Sequence, residues 1–390
     1  MKKIYGLMAL AMGVATLFSC SDDNNNSSAY DNGVKVTLAE TAIKAAGGAA
    51  AIEVDKPVTT AYSTDNWLKV NIDGNKVSAA ADRNDSRESR FSTVVVKASD
   101  TDSTIVSVSQ LGTVFGYTDG KVVVENEGGK AQRFVLHNAE FHVKEAPDWV
   151  TASVKGDSVY VDVAANADGN MRKGYVCLES GDYVDTLSVV QASFDESIAG
   201  SYVLRYYDVV FDEQGHIVSI TPAETSADVY TFNGNITVYI PEFGYSWIAD
   251  YDPKTLGLSF KSAQIVGTLY NMYYLYELAI SADLDMGFTS DSYSNFTFDL
   301  DKDTNKKYAT FSGNVNGADA FGMMFMATSA IGLTSDNILG VIRTWVLPEL
   351  DEDTSDAAAK RKMMSPAQIS RVKSMAKAMM FKQHLSGKIF

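Results

Sequence analysis

Cysteine is nearly absent from this chain, with two in 390 residues, Cys20 and Cys177. One pair cannot make a disulfide framework, so the fold has to be held by apolar burial. Histidine is almost as scarce: His137, His142, His216 and His384 have no spacing that suits a metal centre. A Gly-x-Ser-x-Gly nucleophile turn and a glycine-rich phosphate loop are also missing, which removes the hydrolase and nucleotide chemistries that carry a motif. Basic charge is in deficit, and a net charge of −16 excludes nucleic acid as a natural partner. A glycosidase-type carboxylate pair would leave no sequence signature among 49 acidic residues. No domain here has the bulk usual for a hydrolase, however, so neither an enzyme nor a cofactor is expected.

What is present begins with an export signal. Lys2 and Lys3 precede an apolar stretch, 4–18, that is too short for a comfortable membrane span. It ends in Leu17-Phe18-Ser19-Cys20, which resembles the lipobox cut by the lipoprotein signal peptidase. That resemblance implies a signal peptide over 1–19, lipidation of Cys20 and attachment to a membrane. Residues 20–33 then read as a polar tether, because Ser21 to Ser28 contains no apolar residue. Ser21-Asp22-Asp23 is similar to the signal that sends Bacteroidetes lipoproteins to the outer leaflet. The expected location is the outer membrane, facing outward.

The strongest organisational signal is a repeat of about 82 residues. From Trp67, the residues Asn84, Arg90 and Gln110 follow at offsets of 17, 23 and 43; from Trp149, Asn166, Arg172 and Gln191 follow at 17, 23 and 42. Short β-branched runs alternate with turns such as Asp73-Gly74-Asn75 and Lys155-Gly156-Asp157, which predicts two small antiparallel β-sandwiches over 34–112 and 113–193. The Trp strand, the Asn before an Arg-containing turn and the closing Val-x-Val-x-Gln strand are similar to BACON modules, the Bacteroidetes-associated family. That resemblance implies an immunoglobulin-like sandwich with presumed glycan binding. The residues point elsewhere, because the rings are few in the first copy (Tyr62, Trp67, Phe91) and scattered in the second. Trp67 lies in its own landmark strand, where a core role is expected, so the modules read as spacers.

Residues 195–348 hold 13 of the 20 tyrosines, plus Trp247 and Trp345. Alternating strands joined by tight turns, among them Asn233-Gly234 and Asp301 to Asn305, predict an antiparallel meander that closes into a barrel. The Gly200-Ser201-Tyr202 opening resembles lipocalin-like domains of Bacteroidetes lipoproteins. A barrel of this size can enclose one small ligand. The candidate ligand-binding rings are Tyr245 and Trp247 in one group, and Tyr270, Tyr274 and Tyr276 in another, with ordinary barrel filling as the competing role. Asp299-x-Asp301-x-Asp303-x-Asn305 has the spacing of a calcium loop but lacks its glycine and glutamate, so a solvated turn is expected and no metal.

An acidic linker is expected over 349–364 and a basic amphipathic helix over 365–385, opened by Ser365-Pro366. Residues 360–390 carry eight Lys or Arg and no acid; against the net −16, this leaves −24 for the remainder. The helix is expected to fold back on its own acidic domain, or to dock on an acidic surface or lipid headgroups. The sequence as a whole predicts an all-β lipoprotein whose two tandem sandwiches present a barrel that binds a glycan. The alternative is a structural or adhesive surface protein that contacts other proteins, including an outer-membrane partner, and has no small ligand.

Overall fold

The computed structural model describes residues 33–353, apart from 213–216, 284 and 290. Cys20, the tether up to residue 32, the part of the expected linker beyond residue 353 and the helix expected at 365–385 lie outside the described residues. The chain is all-β and divides into two compact units, Met1–Thr113 and Val114–Phe390.

The first unit is a sandwich of two four-stranded sheets. One orders Val36–Glu40, Gly48–Val54, Lys76–Ala81 and Leu68–Asp73; the other orders Ala42–Ile43, Ser103–Gln110, Arg90–Lys97 and Thr60–Ser63. Strand alternation turns Ile52, Val54, Val77, Val94, Val96 and Val108 into one core. At the Asp73/Lys76 hairpin Gly74 takes φ +62°, the left-handed geometry that a two-residue turn needs. The sandwich is not purely antiparallel. Its first strand segment switches sheets at Thr41, and Ala42–Ile43 runs parallel to Ser109–Gln110.

The second sandwich repeats this plan, and Lys121–Val124 runs parallel to Ser188–Gln191 in the equivalent place. A short π-helical turn, Phe194–Ile198, then leads into the barrel. Met171, Val190, Ala192 and Phe194 share one apolar cluster with barrel residues such as Leu256 and Phe298, so sandwich and barrel are built on a continuous core. Tyr251 of the barrel packs on Phe194 with ring centroids 5.2 Å apart.

The barrel belongs to an eleven-stranded sheet that closes when Gly200–Phe211 pairs with both Ile217–Phe232 and Ile338–Glu352. Nine strands form the closed barrel, and Gln264–Leu269 and Tyr273–Ser281 extend the sheet from the Ala318–Thr328 edge. Two details depart from the sequence reading. Residues 217–232, which Pro222 would be expected to divide, are one strand, Ile217–Phe232, in which Pro222 faces a side with no partner, so its missing N–H breaks no ladder bond. The barrel also does not end at residue 348. Its closing strand runs to Glu352 and buries Leu350, so the first residues of the expected linker belong to the sheet. Pro348 concealed this strand, since it sits in a bulge where Leu347 and Pro348 together oppose Tyr206 alone.

Candidate functional site

The barrel interior is full. Trp345, Tyr202, Phe260, Phe298 and Phe325 are almost completely buried, each large ring contributing roughly 1.5–3 kcal/mol by its removal from water. Tyr245 stacks on Phe325 at 4.9 Å, and Trp247 meets Trp345 at 6.3 Å and Phe260 at 6.2 Å. The space left among Leu204, Trp247, Phe260 and Trp345 is about 10 Å³, room for one water at most. The expectation of an interior large enough for a small ligand is therefore corrected: alternation points large rings inward on facing strands, and they meet in the middle.

The candidate rings separate accordingly. Tyr245 and Trp247 are barrel filling and present no face to a ligand in solution. Tyr276 is 5% exposed, and its hydroxyl accepts the Gly332 N–H at 2.7 Å. Tyr274 is half-buried, whereas Tyr270, on a turn with φ +53°, is 77% exposed. They do not converge on one platform.

A concave feature lies on the outer wall, a groove of about 620 Å³ that falls within the roughly 300–1,000 Å³ range of ligand sites. Strand alternation builds it. While Ala249, Leu258, Phe260, Phe296 and Phe298 point inward, Asp250 and Asp252, Ser259 and Lys261, and Tyr293, Asn295 and Thr297 point outward on adjacent strands. Ser312 on the next strand, with Thr255 and Asp291, completes the lining. The floor is held by Asn295, whose amide N–H groups donate to the Thr297 hydroxyl at 2.9 Å and the Ser312 hydroxyl at 3.1 Å. Its Oδ1 accepts the Ser259 hydroxyl at 2.9 Å. Gly257 keeps the floor open, because a Cβ there would stand 3.0 Å from both Asn295 Oδ1 and Thr255 Oγ1. None of these residues was singled out in the sequence. The only available signal, polar residues at every second position, becomes a site only once strand register places those positions side by side.

The landmark residues of the repeat turn out to be internal fasteners. Arg90 stacks on the Trp67 ring at 4.4 Å, and Arg172 on Trp149 at 4.4 Å. The Arg90 Nε donates to Gln110 Oε1 at 2.8 Å, and the Arg172 Nε to Gln191 Oε1 at 2.8 Å. Each glutamine is fully buried and donates onward to backbone carbonyls, Gln110 to Asp82 and Lys44, Gln191 to Ala164, Glu125 and Asn126. Asn84 and Asn166 tie the following turns. Asp301 closes its own turn by accepting the N–H groups of Asp303 and Thr304.

Two further charged groups are set by their surroundings. Asp299 is held by Lys173 at 2.9 Å and Lys121 at 3.3 Å, both on the second sandwich. Burial alone would raise its carboxyl, but the Lys173 hydrogen bond, the Lys121 charge and the Leu300 N–H together hold it below the usual carboxylate range. Glu277 is fully buried, and burial pushes it up to about 8 against the opposing hydrogen bond from Ser294. Among the described residues its Oε2 has no hydrogen-bond partner.

No family model matches the chain, and no curated protein matches it. The resemblance to BACON modules thus rests on the repeat landmarks alone. Among solved structures the chain is similar to the "I9-I11 tandem from titin", with 11% identity over 74% of this chain and 96% of that one and a TM-score of 0.31. It is also similar to a chimeric titin Z1Z2 carrying a decorin peptide (8% identity, 41% and 96% covered, TM-score 0.25). A third is the N-terminal Ig1-2 module of the Drosophila receptor protein tyrosine phosphatase DLAR (8%, 41% and 98%, TM-score 0.17). Likeness at this level supports no assignment beyond what the strand order shows. Among the described residues no helix is long and apolar enough to cross a membrane, and no group of three or more His, Cys, Asp or Glu is placed to hold a metal ion.

Proposed function

We propose that this protein is a non-catalytic surface lipoprotein, anchored in a bacterial outer membrane through Cys20, whose barrel binds its partner on the outer wall. The lipobox-like Leu17-Phe18-Ser19-Cys20 and the polar tether support the anchor. The repeated modules stand between anchor and barrel in the chain, and their landmark side chains are consumed in internal fasteners, which supports a spacer role. One observation carries the binding mode: about 10 Å³ is free inside the barrel, against about 620 Å³ in the groove outside it. Asp250, Asp252 and Asp291 are all exposed to water, unlike the desolvated carboxyl that an enzyme keeps protonated as a general acid.

A second reading, adhesion to another protein, is favoured by a specific feature. The Thr328/Ile338 and Tyr274/Thr328 pairings bring the 270–272 turn, the 331–337 loop and the start of the strand Ile338–Glu352 to one end of the sheet. There Tyr270, Met272, Ile331 and Leu339 are 77%, 64%, 69% and 55% exposed.

The test is protease shaving of intact cells that express the chain, with a Cys20→Ala variant beside it. The expected result is that external protease removes the wild-type protein, while the variant leaves the membrane fraction. Wild-type protein that stays protected until the cells are broken would sink the surface assignment. Release of reducing ends from any glycan by the purified chain would sink the non-catalytic one.

A further inference from the structure

The outer-wall groove has a chemistry that selects one class of ligand. We infer that it binds a neutral oligosaccharide, with Tyr293 as the stacking ring and Asp250, Asp252 and the hydroxyls oriented by Asn295 as the hydrogen-bonding set; this rests on the reading that the barrel recognises its partner through its outer surface.

Charge removes the alternatives first. Three carboxylates face one ammonium, that of Lys261. A phosphate, sulfate or uronate would be repelled, so anionic glycans and nucleic acid are excluded. An apolar ligand fits no better, because the lining is hydroxyl, amide and carboxylate with one ring. A sugar matches this surface, because its hydroxyls can both donate to the carboxylates and exchange hydrogen bonds with the Ser259, Thr297 and Ser312 hydroxyls. Exposed carboxylates accept such donors, and charge-assisted bonds of this kind are about twice as strong as neutral ones.

Orientation is prepaid in the floor. Asn295 is bonded to Ser259, Thr297 and Ser312 at 2.9–3.1 Å, so the three hydroxyls are already aligned when a ligand arrives. Tyr293 is 41% exposed and lies across from Lys261 in the sheet register. Its ring offers an apolar face of the sort that packs on the C–H face of a pyranose, while its hydroxyl stays in water. Gly257 adds no side chain between these groups. The groove crosses four adjacent strands and opens to solvent along its length, which suits a stretch of chain instead of a single enclosed monosaccharide.

The experiment uses the full chain made soluble by Cys20→Ser, titrated calorimetrically with neutral hexasaccharides of glucose, mannose and xylose, with oligogalacturonate, and with oligolysine. Tyr293→Ala and the pair Asp250→Asn with Asp252→Asn are compared with Tyr270→Ala at the end of the sheet, and near-ultraviolet circular dichroism confirms that each is folded. The expected result is saturable binding of at least one neutral hexasaccharide that persists in 0.5 M salt. It should weaken tenfold or more in Tyr293→Ala and in the Asp pair, and stay unchanged in Tyr270→Ala. Failure of every neutral glycan to bind the folded wild-type chain would overturn the inference. So would binding of oligolysine alone that vanishes in salt, which would make the groove a surface for a cationic peptide. Glycan binding lost in Tyr270→Ala and kept in Tyr293→Ala would also overturn it, while leaving outer-surface recognition intact.

Discussion

Glu277 shows how one residue ties fold stability to pH. It sits on the strand Tyr273–Ser281 with no exposure, one carboxylate oxygen accepting the Ser294 hydroxyl at 3.0 Å and the other without a partner among the described residues. Because burial raises the folded value to about 8, the folded state holds a proton that the unfolded state has already lost above its ordinary value of 4.5. The contribution of Glu277 to stability is therefore fully present below that ordinary value and is lost as pH rises through about 8, by on the order of 1 kcal/mol per pH unit within the window. Glu277→Gln keeps the shape and removes the charge. Urea denaturation at pH 5, 6, 7 and 8 should show a falling midpoint in the wild type and a nearly flat one in the variant, with the variant more stable at pH 8. Equal slopes for both proteins would mean that Glu277 is not the group responsible. Nothing in the sequence signals this burial, since Glu277 stands among apolar residues in a strand that only the sheet encloses on both sides.

At the scale of elements, the Trp–Arg–Gln fastener binds the strand that begins at residue 90 to the closing strand of the first sandwich. Removing Arg90 leaves the Gln110 oxygen buried without a donor, at a cost of roughly 1–3 kcal/mol, and loses the stacking on Trp67, worth about 0.5–1 kcal/mol. Arg90→Ala is expected to destabilise the first unit by about 2–3 kcal/mol, and Arg172→Ala to do the same to the second sandwich, as read by thermal melts. Arg90→Lys should restore little, because an ammonium cannot both stack flat on the indole and reach the glutamine in the same geometry. A loss below about 0.5 kcal/mol in both alanine variants would show that the repeated residues are not fasteners. Elements were readable in the sequence where β-branched alternation and turn residues agreed, as at Gly74-Asn75 and Asn233-Gly234. They were hidden where proline stood inside a strand. Pro222 and Pro348 look like breaks in the sequence, and both are harmless here because one faces an unpaired edge and the other a bulge.

At the scale of the molecule, the second sandwich and the barrel behave as one body if their shared core and the Asp299 contact hold. Lys121 and Lys173 come from the sandwich and Asp299 from the barrel strand Tyr293–Leu300. Lys307 of the barrel adds a hydrogen bond to the Ser197 carbonyl at 3.0 Å and an ion pair with Glu352 at 3.2 Å. Asp299→Ala strands two lysine charges that are mostly removed from water. The expected cost is about 1–3 kcal/mol, below the 3–5 kcal/mol of a fully buried pair because solvent still reaches the group. The wild-type contact is complete above the ordinary carboxylate value and is lost as pH falls below it, since Asp299 titrates lower when folded. Scanning calorimetry of the wild type at pH 7 should show the second sandwich and barrel melting as one transition, and Asp299→Ala should lower or split it. An unchanged thermogram would mean that the apolar core couples the two without help from the ion pairs.

By itself the sequence determined the all-β class, the two repeated sandwiches and the presence of a tyrosine-rich barrel, because strand alternation, hairpin turns and equal spacing of Trp, Asn, Arg and Gln are local or periodic properties. It could not determine which face each strand buries or which strands lie side by side. A one-residue change of register inverts every side chain, so the fate of each ring was open until pairing was known. Tertiary structure alone decided that Tyr245 and Trp247 fill the barrel, and that Asp250, Ser259, Tyr293 and Asn295, brought together from three strands, share one groove.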